Sequence, residues 1–472
     1  MNQIIRTKIV CTIGPATESV SQLKKLYDAG MTVARINMSH GNHLQYRKFI
    51  KNIKAVSEKI AILIDTQGPE IRTGDVKPNT ILKDGQKFTL TNKKCLGDNT
   101  KAYISYHKLV DDVKPGDALF IDSGFLSLKV LKTTKTDIIC KVLAGGPLGN
   151  HKGVNNPSSV SKIASVTKKD REDIKFGLAH DIDFIAASFV RKPEDIKTIR
   201  SLLKKHPHVK IIAKIENALA VSNLDGIIKE ADAVMVARGD LGIEISQDKL
   251  PIVQKEIILK CNLAGKPVIT ATQMLESMVE KPLPTRAEST DVANAILDGT
   301  DAVMLSEETA IGKYPDTAVK MMVKISKNTE KFLELHRHLT PESTADAIAL
   351  AINHILENTD IDKVVVCTRS GYSARLVAKY RPHSMIIAAT NQKRVVRRMG
   401  LYWGVYPVLI ENNIKSTRQL IYHSLKNAVK AKLLKKSERA IITAGHPYHL
   451  KNTTNLIEIH KVSDLLHHER LK

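Results

Sequence analysis

The chain has 472 residues, too many for one hydrophobic core, so about three domains are expected. Its 43% hydrophobic content includes no apolar run of the ~18 residues a membrane span needs, and its five cysteines are scattered without a CxxC pair, which argues against a zinc or disulfide framework and for a reducing cytoplasm. The net charge of +23 suits small polyanionic ligands, nucleic acid or a basic proteome, but aromatics at 4%, with one Trp, make poor stacking platforms for single strands.

In chain order, MNQIIRTKIV moves straight into a predicted strand with no signal-peptide core. Three apolar runs follow, TKIVCTIG, VARINMSH and AILIDTQG, each ending in polar residues and most followed by a helix-like stretch. The helical rhythm then stops. From about 74 to 166 the chain reads as short strands separated by Lys-Asp-Gly, Lys-Pro-Gly-Asp and Asp-Ser-Gly turns, which predicts an inserted, β-barrel-like lid domain. The earlier rhythm resumes over 167–340 with DFIAASFV, KIIAKIEN, AVMVARGD, PVITATQM and AVMLSEET. Eight β-then-α units predict a closed parallel (β/α)8 TIM barrel built from 1–73 and 167–340, with its active site at the C-terminal strand ends. From 341 to 472 the runs KVVVCTRS, SMIIAAT, GVYPVLI, RAIITAG and NLIEIHKV predict an α/β domain with a mostly parallel sheet. Lys393, Arg394, Arg397 and Arg398 form the densest basic cluster, read first as a solvated helix face and second as a phosphate or RNA contact.

The strand ends carry the chemistry. Lys214 and Glu216 are i, i+2 on one strand, so their side chains share a face. Asp240 ends the next strand. Two neighbouring carboxylates make an oxygen-rich Mg²⁺ site, with a buried ion network as the plainer alternative. Gly239-Asp240-Leu241-Gly242 should open a turn or helix whose free N–H groups suit a carboxylate or phosphate. Arg35 suits a transferring phosphoryl group as a planar bidentate clamp. Asn37, Ser39, Asp65 and Thr66 are hard oxygen donors with one formal charge, suited to a monovalent cation. Thr272 could bind a carboxylate or relay a proton; His40 is equally well a structural histidine.

These residues, with KIVCTIGP, NMSHG, LIDTQGPEIR, AKIEN, MVARGDLG, ITATQMLESM, PTRAESTDVANAILDGTDAVML and TRSGYSA, resemble pyruvate kinases from end to end. The resemblance implies a homotetrameric phosphotransferase of glycolysis that converts phosphoenolpyruvate and ADP to pyruvate and ATP. It places Mg²⁺ (or Mn²⁺) on Glu216 and Asp240, and K⁺ on Asn37, Ser39, Asp65 and Thr66. Lys214 would stabilise the moving phosphoryl group and the enolate, Arg35 would clamp the phosphoryl group, and Gly239, Asp240 and Thr272 would hold the carboxylate. It puts nucleotide contacts at His40, Arg72, Asn155 and Lys169, and a proton relay near Thr272 and Ser306. Glu70 stands where K⁺-independent members carry Lys, which implies K⁺ dependence. A sugar-phosphate effector would sit at Thr368, Ser370, Gly371 and Ser373. The second effector loop, however, has His449 and Asn452 where glycines are usual, so loss of phosphate-ester activation is equally admissible.

Departures from the family pattern are Gln67, Ala213, Leu219, Glu307 (for a Gly) and the stretch Ala164-Ser165-Val166-Thr167. Two rival readings share some features: another Mg²⁺-dependent barrel enzyme using a pyruvate enolate, and a basic RNA-binding protein, with nucleic acid disfavoured as the main partner.

Overall fold

The computed structural model describes residues 5–122, 124–156, 163–333, 339–361, 363–446 and 454–468. Eight strands close a barrel: β1 (Lys8–Thr12), β2 (Val33–Asn37), β3 (Ala61–Asp65), β4 (Phe184–Ala187), β5 (Lys210–Ile215), β6 (Ala233–Ala237), β7 (Val268–Ala271) and β8 (Ala302–Leu305). All are parallel, and β8 closes on β1 with Lys8 opposite Ala302. Their residues are buried almost throughout, as expected where helices cover the outside and side chains fill the inside of a parallel barrel. Val10, Leu63, Phe184, Ile212, Met235 and Ile269 pack inside the barrel, while a separate cluster joins the outer strand faces to the helices.

Between β3 and the helix Lys168–Ala179 lies the inserted β structure. Six strands pair in the open order Val154–Asn155, Ala118–Ile121, Leu126–Thr133, Asp137–Ala144, Lys87–Thr91, Lys101–Tyr103. Alternating burial along Leu126–Thr133 puts one face in a small core of its own, with Phe88, Leu90, Leu128 and Cys140. Thr167 restarts the barrel by a capping box with Asp170.

The last segment forms a five-stranded sheet from β9 (Lys363–Cys367), β10 (Met385–Thr390), β11 (Val405–Leu409), β12 (Arg439–Ala444) and β13 (Leu456–Lys461), parallel except for β13. Among the described residues no helix is long and apolar enough to cross a membrane.

This segment is keyed to the N-terminal face of the barrel by buried ion pairs. Asp183 and Asp301 each stand just before a barrel strand, and each carboxylate accepts an N–H at the start of a neighbouring strand, from Ile62 at 3.0 Å and Val268 at 2.9 Å. Arg381 donates to both oxygens of Asp301 at 2.9 and 3.0 Å. Arg397 Nε lies 2.8 Å from both Asp183 oxygens, and its Nη2 is 2.9 Å from Asp181. Arg394 reaches Asp181 and Lys393 reaches Glu58, both at 2.7 Å. The cluster is therefore split: Lys393 and Arg394 stay exposed, as expected of a solvated helix face, while Arg397 and Arg398 do not. Arg397 and Arg398 are buried, and the helix Lys393–Arg398 is turned toward acidic residues of the barrel.

Burial pushes the Asp183 carboxyl up to about 6, against the pull of Arg397. The stability linked to this group is fully present below its ordinary value of 3.8 and is lost as pH rises through about 6. Arg397 limits that loss. Arg397→Leu should destabilise the protein by about 3–5 kcal/mol at neutral and higher pH, since it strands a buried carboxylate. The difference from wild type should shrink on acidification below the Asp183 pKa. Melting temperatures of both proteins at pH 8 and pH 5 check this; an equal difference at the two pH values contradicts it.

Candidate active site

The side chains at the C-terminal ends of β2 to β6 gather in one buried cluster around Lys214. Its Nζ lies 2.7 Å from Glu216 Oε1, 3.1 Å from Asp65 Oδ1 and 2.8 Å from Ser188 Oγ. Both carboxylates are 1% exposed, so the attraction acts where water screens it little. Burial pulls the Lys214 ammonium down, but Asp65 and Glu216 more than reverse that, holding it above the usual lysine range. Asp65, which burial would push up, is held below its ordinary value by Lys214 and Arg35. Glu216 and Asp240 move the other way. Burial raises both, and each feels further negative charge, Glu216 from Asp240 and Asp240 from Glu70 and Asp65.

That imbalance suits a cation. Glu216 Oε2 accepts the Phe189 N–H at 2.5 Å, whereas buried Oε1 has only the ion contact with Lys214 and no aligned hydrogen bond. Asp240 sits in the first turn of the helix Arg238–Glu244, as the Gly-Asp-Leu-Gly sequence suggested. Among the described residues no group of three or more His, Cys, Asp or Glu side chains is placed to hold a metal. Two carboxylates with room for water and ligand oxygens is the donor set Mg²⁺ favours.

Arg35 is buried and engaged on three sides. Its Nε and Nη2 each lie 2.7 Å from Asp65 Oδ2, and Nη1 donates to Thr12 Oγ1 at 2.8 Å. Both Asp65 oxygens therefore already have protein partners. Asn37 and Asp65 stand opposite each other in the β2–β3 register, and Asn37 Oδ1 accepts the Ser39 N–H at 3.0 Å. Thr66 Oγ1 donates to the Ala186 carbonyl at 3.2 Å.

Thr272 has φ +66° and Gln273 φ +53°. A β-branched residue in the left-handed region is strained, and such strain concentrates at functional sites. Thr272 Oγ1 donates to Ala271 O at 2.6 Å and accepts the Gly239 N–H at 2.9 Å. The Gly239 N–H, expected to be free, is thus bonded within the protein. Arg238, which the sequence reading passed over, braces this corner: buried itself, it donates to the Ala271 carbonyl at 3.2 Å and to Asp291 at 2.6 and 2.7 Å. Its position directly after the buried β6 run was the available signal.

Ser306 Oγ is buried without a hydrogen-bond partner. Its backbone N–H donates to Glu308 Oε2 at 2.7 Å, while Glu308 Oε1 takes the Leu275 N–H at 3.1 Å. The buried acid here is Glu308, whose carboxyl burial pushes up. Glu307, expected to add a charge beside Ser306, is exposed. Leu219 is half-buried on the short helix Ala218–Ser222.

The expected nucleotide contacts are spread over several elements. Arg72 pairs with Glu70 at 2.8 Å, and Lys169 with Asp173 at 2.6 Å. Asn155, from the inserted sheet, donates to Glu244 Oε1 at 3.3 Å, and burial pushes that carboxyl up to about 6. This contact joins the insertion to the helix that carries Asp240. His40 is exposed, and its carbonyl accepts the Tyr46 hydroxyl at 2.8 Å.

Thr368, Ser370 and Ser373 line a cavity of about 1430 Å³ between the C-terminal sheet and the N-terminal face of the barrel, with Arg375, Arg394 and Arg398. Gly371, at φ +86°, donates its N–H to Thr368 Oγ1 at 3.0 Å. The Ser373 hydroxyl is taken by Thr454 at 2.6 Å. His449 and Asn452 lie outside the described residues.

Residues 4–319 match the family described as pyruvate kinase, barrel domain, and residues 346–460 match pyruvate kinase, alpha/beta domain. The chain is 47% identical to a pyruvate kinase of Geobacillus stearothermophilus, covering 98% of this chain and 81% of that protein. It is 42% identical to one from Clostridium acetobutylicum, covering 97% and 99%. A solved pyruvate kinase from Cryptosporidium parvum superposes with a TM-score of 0.91 at 38% identity, covering 97% of this chain and 96% of that one. With the barrel, the insertion, the C-terminal α/β sheet and the charged mouth in place, the chain belongs to the pyruvate kinase family of phosphotransferases.

Proposed function

We propose that the chain transfers the phosphoryl group of phosphoenolpyruvate to ADP, giving pyruvate and ATP in glycolysis, with Mg²⁺ (or Mn²⁺) and K⁺ as cofactors. The observation that carries this reading is a charged Lys214 held among Asp65 and Glu216, with Asp240 beside them, at the barrel mouth. Phosphoryl transfer demands positioning and charge neutralisation more than covalent chemistry.

Glu216 and Asp240 would hold the divalent ion, which neutralises charge on substrate oxygens when bound. Asn37, Ser39, Asp65 and Thr66 would hold K⁺. Lys214 stabilises charge on the moving phosphoryl group and on the enolate oxygen. Arg35 turns from Asp65 toward the phosphoryl group, and Thr272 with the Gly239–Asp240 turn receives the carboxylate. The Ser306 hydroxyl, buried and unpartnered, suits a relay that protonates the enolate. Asn155 and Arg72 bring the inserted domain to the nucleotide, with His40 and Lys169. The domain bounds 1–73, 74–166, 167–340 and 341–472, a homotetramer, a cytoplasmic setting and a sugar-phosphate effector at Thr368, Ser370, Gly371 and Ser373 belong to the same reading.

Lys214→Met should lower kcat about 10³-fold with little change in the KM for phosphoenolpyruvate, because its charge acts mainly in the transition state. Coupled measurement of pyruvate formation checks this; a loss under tenfold contradicts it. Replacing K⁺ by tetramethylammonium should abolish most turnover in the wild type, while Glu70→Lys should retain turnover without K⁺. Equal rates of the wild type in the two salts would refute the cation assignment.

A further inference from the structure

Ser188, just past β4, has no role in the reading above, yet it bridges two of its parts. It is 5% exposed. Its Oγ accepts a hydrogen bond from Lys214 Nζ at 2.8 Å and lies 2.6 Å from the Thr66 carbonyl and 3.1 Å from Asp65 Oδ1. A hydroxyl carries one hydrogen, so these two oxygens compete for it. Both belong to residues assigned to the monovalent cation. The side chain is held in place: Ser188 N–H donates to Thr66 Oγ1 at 3.3 Å, and a Cβ added at Gly68 would come within 3.0 Å of the Ser188 Cβ. Lys214 has three N–H groups and three neighbours, Asp65, Glu216 and Ser188. Ser188 is the neutral one.

We propose that Ser188 is a positioning residue whose hydroxyl holds the Lys214 ammonium and ties it to the Asp65 and Thr66 oxygens, so that monovalent-cation occupancy at those oxygens is felt at Lys214. The proposal rests on the phosphoryl-transfer reading. A cation drawing on the Thr66 carbonyl and Asp65 competes with the Ser188 hydrogen for the same lone pairs. The direction that hydrogen takes decides how the hydroxyl lone pairs meet Lys214. A hydroxyl that only fastened the loop after β4 would affect stability and leave cation response and kcat alone.

The test compares full-length wild type with Ser188→Ala and Ser188→Cys. Cysteine keeps the shape while offering only a weak donor and acceptor, so it separates the hydrogen bond from the volume. Two things are measured: kcat, KM and K⁺ half-saturation for pyruvate formation, and the shift in melting temperature caused by K⁺, against tetramethylammonium, without substrates. The expected result is a kcat lowered by up to about 100-fold in both variants, as for a displaced catalytic group, with the KM for phosphoenolpyruvate nearly unchanged. K⁺ half-saturation should fall and the K⁺-induced thermal shift should grow, because the competing hydroxyl hydrogen is gone. Wild-type kcat in the variants overturns the proposal. So does a lower kcat with an unchanged K⁺ half-saturation and thermal shift, which leaves the phosphoryl-transfer reading standing. No pyruvate from the wild type removes that reading and the proposal together.

Discussion

The structure around the barrel mouth depends on one buried cation. Desolvating an ammonium is costly, and Lys214 is tolerated only because Asp65 and Glu216 stand within 3.1 and 2.7 Å. The compensation overshoots. With Asp240 and Glu70 nearby, the mouth holds more negative than positive charge, and Glu216 and Asp240 are pushed toward their protonated forms. A site in that condition is stabilised by added positive charge. Arg35, folded back on Asp65, is part of the same balance.

Fold and site are linked through strand geometry. A closed parallel barrel brings the C-terminal ends of strands distant in sequence to one rim. Asp65 from β3, Ser188 after β4 and Lys214 from β5 touch because β3, β4 and β5 are consecutive neighbours, although 118 residues separate the end of β3 from the start of β4. At the opposite rim β4 and β8 are each preceded by an aspartate that bonds both a neighbouring strand and an arginine of the C-terminal segment. The β4 strand therefore has Asp183 and Arg397 at one end and Ser188 and Lys214 at the other.

Much of this was legible in the sequence. Buried parallel strands leave near-continuous apolar runs, and their polar termini mark the rim, so Lys214, Glu216, Asp240, Asp65 and Thr272 could be read directly. The i, i+2 spacing of Lys214 and Glu216 placed them on one face, as their 2.7 Å contact bears out. The failures share a cause. Arg397 and Arg398 look like surface charge in a one-dimensional pattern, since their partners, the Asp183 carboxylate and the His208 carbonyl, lie some 200 residues away. The Gly239 N–H looked free because its acceptor, Thr272 Oγ1, belongs to another strand end. Ser188 and Arg238 are residue types with many ordinary uses, and only their neighbours distinguish them.

The central claim is that the excess of carboxylate at the mouth, chiefly Glu216 with Asp240, is a divalent-cation site. Electron paramagnetic resonance titration of Mn²⁺ into the wild type and into Glu216→Gln tests it most directly. The account predicts one Mn²⁺ per chain in the wild type and at least about tenfold weaker binding in the variant, the size of loss typical of damaged metal sites. Equal Mn²⁺ affinity in the two proteins would contradict it.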